Sequence, residues 1–285
     1  MPASWPGVRI ETDNKTGNWN FRHETDHDDA GGGLCLAAMT VTAPVTGKPL
    51  YPNSVVSNDH EFIATSDASA FVCLRFDDRR MAEMPDKRKD GLMAKQTYIF
   101  TAHYTDGTSV GLWAHQDFKT KQRALTSVKP VAEAVGKLPT FMRKTLNRVV
   151  IHVGDETAFA EDVGHFFVLY SDNIKTRIRN HDLEETVFHE SVHATLDKRY
   201  ARSKKWRKAQ EADDDFITKY ARRLPEKEDL AESGLFAWAI IMHPGRLPAK
   251  IEARARQIMP HRIAFFEELF LAGPVFKKSG RKPRC

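Results

Sequence analysis

Residues 182–197, DLEETVFHESVHATLD, decide how the rest of the chain is read. Asp182 is placed to cap a helix, with Glu185 three residues on in the position of a capping-box partner. Phe188, Val192 and Leu196 follow at helical spacing, an apolar stripe that would hold the helix against a core. His189 and His193 are four residues apart, so both imidazoles project from one face, one turn apart. Two zinc ligands need that geometry. Glu190 lies beside them, where its carboxylate could take a proton from water activated at a metal.

This stretch also marks a change of texture. Before it, residues 96–115 (QTYIFTAHYTDGTSVGLWAH) alternate apolar and polar residues across Asp106-Gly107, a dipeptide that favours a tight hairpin. Residues 129–146 carry apolar positions at helical spacing and are expected to split at Pro139. RVVIHVG (148–154) and HFFVLYSD (165–172) read as strands. After it, helices are expected over about 182–199, 205–223, 225–242 and 247–271. Strands first and helices afterwards predict an α+β fold: a small mixed or antiparallel sheet packed on the active-site helix, then a mainly helical C-terminal half. Residues 1–33 read as a poorly ordered lead and 34–95 as a β-containing region of uncertain independence. Residues 96–285 form the site-bearing domain with a basic tail.

Composition narrows the classes. The 285 residues are 41% hydrophobic and 28% charged, enough for a full core and unlike a disordered or collagen-like chain. The net charge of +5 is matched by the five cationic residues of the last nine, KKSGRKPRC, so the remainder is near neutral. Three cysteines, Cys35, Cys73 and Cys285, include no C-x-x-C spacing, which removes zinc ribbons and thioredoxin-like motifs. A Cys35–Cys73 bridge and a fully reduced chain fit equally well. No secretory leader is visible at the N-terminus, which leaves the compartment open. The longest apolar run, residues 235–242, is far short of the ~20 residues a membrane span needs.

A third ligand decides the class of site. The metzincin pattern needs glycine and histidine where this chain has Leu196 and Arg199, so it is excluded. Downstream, Glu228, Ala231, Leu235, Trp238, Ala239 and Met242 fall on one helical stripe, with Pro225 as a first helical position. A carboxylate heading an apolar stripe is costly to bury unless a positive group faces it, and zinc is the obvious candidate. Glu232, one turn on, could hydrogen-bond the far nitrogen of a ligating histidine. Against this stands a plain alternative, a solvated first turn favoured by the helix dipole. A second HExxH string, His23 to His27, has no apolar face and reads as chance.

His189-Glu190-x-x-His193, then Tyr220-Ala221, then Glu228-x-x-Ala231-Glu232 resemble the gluzincin metallopeptidases, in particular those similar to the anthrax lethal factor catalytic domain. The resemblance covers about residues 95–245 and extends to uncharacterised bacterial metallopeptidases of similar layout. It implies Zn2+ held by His189, His193 and Glu228, with Glu190 as general base and Tyr220 donating to the oxyanion. It also implies a protein or peptide substrate laid along an edge strand at Phe167, Val168 and Leu169. Asp229 departs from the family, which commonly has an aromatic residue after the ligand, and this leaves open whether Glu228 or its neighbour faces the metal. From the residues alone, Tyr220 shares a helical face with Trp206, Ala209, Asp213, Phe216 and Ile217 and reads equally as core, as does the strand at 165–171. Asp213, on that apolar face, is a further candidate for a carboxylate behind the ligands.

Two other functions remain in view. Residues 198–208 (KRYARSKKWRK) pack seven basic residues around Tyr200 and Trp206, in keeping with a DNA-associated SprT-like zinc protease, but a solvated helix connection explains them more simply, so a nucleic-acid partner is not favoured. The other is a catalytically inactive binding module stapled by zinc. Glu190, which a staple does not need, weighs against it. The oligomeric state is not legible.

Overall fold

The computed structural model describes residues 8–12, 19–23, 48–89, 92–272 and 285. They belong to two compact units, one of residues 1–44 with 87–90, the other of residues 45–86 with 91–285. In the first, β1 (Val8–Thr12) pairs antiparallel with β2 (Trp19–His23), so the expected poorly ordered lead contains a two-stranded sheet. His23 ends a strand rather than lying on a helix, and residues 24–27 of the second HExxH string lie outside the described residues.

The second unit is α+β. Its sheet contains β3 (Phe71–Glu83), β4 (Met93–Tyr104), β5 (Ser109–Ala114), β6 (Arg148–His152), β7 (Phe159–Glu161) and β8 (Phe166–Tyr170), in the spatial order β3-β4-β5-β6-β8-β7. The first three are antiparallel; β5, β6 and β8 run parallel, and β7 returns antiparallel on β8. The β4–β5 turn falls at Asp106-Gly107, as expected. Gly107 takes φ +81°, open to a residue without Cβ, and its N–H donates to the Tyr104 carbonyl at 3.0 Å.

The strand at Phe167, Val168 and Leu169 is therefore not an edge. It is paired with β6 on one side and β7 on the other, and all three residues are buried. The free edge at this end of the sheet is β7.

The helices are α1 (Lys121–Val135), α2 (Thr140–Thr145), α3 (Ser171–Asn180), α4 (Leu183–Tyr200), α5 (Lys204–Ala212), α6 (Lys219–Arg223), α7 (Asp229–Met242), α8 (Ala249–Ile258) and α9 (Pro260–Leu271). The split at Pro139 is present, whereas the connection from β8 to the histidine helix is itself a helix, α3. The helix expected over 205–223 breaks at 213–215, three successive aspartates. The Asp215 carboxylate accepts the next residue's N–H at 2.7 Å, competing with the helical ladder. The one expected over 247–271 breaks at Met259, because proline disfavours helical backbone in the residue before it. α7 begins at Asp229 rather than Pro225, with Glu228 at its N-cap. Among the described residues no helix is long and apolar enough to cross a membrane.

α4 and α7 lie at the centre of the core. Phe188, Val192 and Leu196 pack into one apolar cluster with Leu235, Phe236 and Trp238 of α7 and with Phe167 and Leu169 of β8. Residues 45–86 belong to this same unit, so the boundary expected at 95/96 is absent, and β4 runs through it. Leu50 N–H donates to the Ile217 carbonyl at 2.9 Å, and Cys73 on β3 is bonded to Cys285 rather than to Cys35.

The expected capping box does not form. Asp182 holds the N-cap position, but its carboxylate pairs with Arg177 at 2.7 Å, and Glu185 instead accepts the Phe62 N–H at 2.6 Å. Burial pushes the Glu185 carboxyl up to about 8, from an ordinary 4.5. The folded chain then holds a proton that the unfolded chain releases between those values, so stability falls as pH rises across that window and levels off above it. Glu185→Gln is expected to make this decline shallower in urea melts taken at successive pH values. An unchanged slope would show that Glu185 does not titrate there.

Candidate metal centre

α4 sets the two imidazoles one turn apart, and the turn before α7 brings the third group to them. His189 Nε2 and His193 Nε2 are 3.1 Å apart, and each lies 3.4 Å from Glu228 Oε2. Among the described residues these three form the one group of histidines, cysteines and acids able to hold an ion. Bonds of about 2.0–2.2 Å at tetrahedral angles would place ligand atoms roughly 3.3–3.6 Å apart; both 3.4 Å separations fall in that range and the 3.1 Å one just below it, so the two nitrogens and the carboxylate oxygen could hold a metal ion. The three side chains are only 9–15% exposed, so the centre is largely shielded from solvent.

Each imidazole is backed by a carboxylate on its far side. Asp197 lies 2.7 Å from His193 Nδ1, so Nδ1–H donates outward and the Nε2 lone pair points into the centre. The sequence reading missed Asp197, although its signal was present: it stands four residues after His193, hence on the same helical face. Glu232, fully buried, has Oε1 3.6 Å from His189 Nδ1, so the hydrogen bond expected between them is not made and the carboxylate faces that ring without bonding it. Its two oxygens accept instead from Ser54 Oγ (2.6 Å), Val55 N–H (2.9 Å) and Thr218 Oγ1 (2.8 Å), so residues 54–55 help fix its position.

Asp213 is not part of it. Its carboxylate accepts from the His261 and Arg262 N–H groups at 2.8 and 3.1 Å and from Arg262 Nε at 2.8 Å, capping α9. The helix that carried it onto the apolar face ends before it, at Ala212. Asp229 is also turned away from the histidines. It accepts from Gln210 Nε2 at 2.8 Å, Arg262 Nη1 at 2.7 Å and Ser233 Oγ at 3.0 Å. Between the two neighbouring acids, Glu228 is therefore the one that faces the imidazoles.

Tyr220, at the start of α6, is half-buried and lies close enough to Glu228 for that carboxylate to act on its phenol. Burial first, then the Glu228 carboxylate, push that phenol well above its ordinary pKa, so it remains a donor. Glu190 lies close enough to act electrostatically on both Tyr220 and His189. Burial opposes charge on Glu228, yet the hydrogen bonds from His189 and His193 hold its carboxyl far below the usual range. Burial likewise opposes charge on His193, but Asp197 and then Glu228 raise it well above the ordinary histidine value. Protons and a metal therefore compete for the same imidazole nitrogens. In comparisons with protein-family models, curated proteins and solved structures, the chain matches none.

Proposed function

We propose that the chain hydrolyses peptide bonds with a zinc ion held by His189, His193 and Glu228. The observation that carries this reading is the 3.1–3.4 Å triangle of Nε2, Nε2 and Oε2 atoms, with a proton acceptor and a phenol beside it. Bound there, zinc supplies a Lewis acid that polarises a scissile carbonyl and lowers the pKa of water. Glu190 takes the proton from the attacking water and returns it to the leaving amine nitrogen. The Tyr220 hydroxyl donates a hydrogen bond to the oxyanion that develops on the carbonyl oxygen. Asp197 holds His193 in the tautomer that leaves Nε2 unprotonated, while the Glu232 carboxylate, 3.6 Å from His189 Nδ1, acts on that ring through its charge. A purely structural ion would need neither Glu190 nor Tyr220, and their placement favours hydrolysis over a metal staple.

Metal analysis tests the reading. The gently purified chain is expected to carry about one zinc per molecule. Stripping it with a chelator should abolish hydrolysis of an unstructured peptide and lower the melting temperature, and both should return on adding zinc. At free zinc a hundredfold above its Kd, the stabilisation is about 2.7 kcal/mol. A chain that neither carries nor takes up a transition metal would overturn the assignment.

A further inference from the structure

The lip of the centre formed by α6 carries uncompensated positive charge. Between residues 219 and 228 the acids are Glu226 and Glu228 and the bases are Lys219, Arg222, Arg223 and Lys227. Glu228 is committed to the histidines. Glu226 faces Arg202 at 3.8 Å and Arg207 at 3.3 Å, and Arg222 is paired with Asp215. Lys219 and Arg223 are left exposed with no acidic partner among the described residues, one adjoining Tyr220 and the other one turn along. Both ends of α6 are anchored at the centre, since Thr218 Oγ1 donates to Glu232 at 2.8 Å and the Glu228 N–H donates to the Leu224 carbonyl at 2.8 Å, so the helix that carries both cations borders it. Near Asp197 the sign is reversed: Glu161 ends β7, and Asp162 follows it closely enough to act on Asp197.

We infer that the centre selects peptides carrying acidic side chains on the α6 side, where Lys219 and Arg223 receive them. This rests on the proposed peptidase reading and names its substrate class. A nucleic acid would also be drawn to positive charge, but the neighbouring surface lacks what would grip its bases. In 198–208, Trp206 is fully buried, and Tyr200 packs edge-on against Phe265 with the Arg199 guanidinium over its ring. Tyr220 is half-buried. Among the described residues of this lip no aromatic ring is fully exposed for base stacking.

Binding separates the two claims. The zinc-loaded Glu190→Gln chain would be titrated with fluorescein-labelled Gly/Ser peptides carrying either several glutamates or several lysines, with anisotropy as readout. The glutamate peptide is expected to bind about tenfold tighter at low salt, with the advantage shrinking as salt rises. The Lys219→Glu/Arg223→Glu double variant should reverse the preference. Equal affinities, no measurable binding of either peptide, a preference for lysine, or a preference untouched by the double variant would overturn the inference. So would a single-stranded oligonucleotide that binds tighter than the glutamate peptide. If the glutamate peptide binds with the expected preference but the zinc-loaded wild-type chain leaves it intact, charge selection stands and peptide hydrolysis falls.

Discussion

Replacing Glu190 with glutamine is expected to lower kcat/KM on an unstructured peptide by about 10²–10⁴-fold while leaving zinc bound. Glutamine keeps the size and the hydrogen-bonding reach of the side chain but cannot accept a proton. The atoms that converge on the centre come from His189, His193 and Glu228, so the ligand set is untouched. His193→Ala should behave differently, losing the metal and the activity together, because it removes one corner of the triangle and leaves Asp197 without its partner. Measuring zinc content and kcat/KM side by side separates the two roles. A Glu190→Gln chain retaining activity within about threefold of wild type would take the base role from Glu190, since general-base catalysis is worth far more than that.

What could be read from the sequence follows from which contacts are local. His189 and His193 were legible because a helix fixes the relation of residues four apart. Glu228 was legible because a lone carboxylate at the head of an apolar stripe demands a partner. β7 was not. Three residues, Phe159–Glu161, are too few to show a period, and without them β8 looked like the last strand of the sheet. Asp213 was misplaced for a related reason: a helical wheel drawn through residues 213–215 assumes a helix that the aspartates end. The grip of Ser54 and Val55 on Glu232 spans more than 170 residues, and no pattern along the chain announces it.

The buried Arg262 was equally hidden, and its removal should produce the largest loss of stability. Arg262 is 1% exposed and reaches three acceptors: Asp213 Oδ2 at 2.8 Å, Asp229 Oδ1 at 2.7 Å and the Asp215 carbonyl. Both carboxylates are fully buried. Arg262→Met keeps the apolar volume but strands two acids, and a buried ion pair broken from one side typically costs about 3–5 kcal/mol. Lysine should recover only part of this, because one ammonium cannot match a planar fork that reaches acceptors in three directions. Adding Asp213→Asn and Asp229→Asn to Arg262→Met removes the stranded charges and should restore much of the loss, which urea melts of the four chains would measure. The effect should also reach the metal. Asp229 adjoins Glu228 and is tied through Arg262 to α9, so freeing it loosens the N-terminus of α7 that brings Glu228 to the two imidazoles. Arg262→Met is therefore expected to bind zinc more weakly under conditions where it is still folded. A single variant as stable as wild type to within about 1 kcal/mol would mean that the acids find other partners and that the buried pair is not what holds α7 in place.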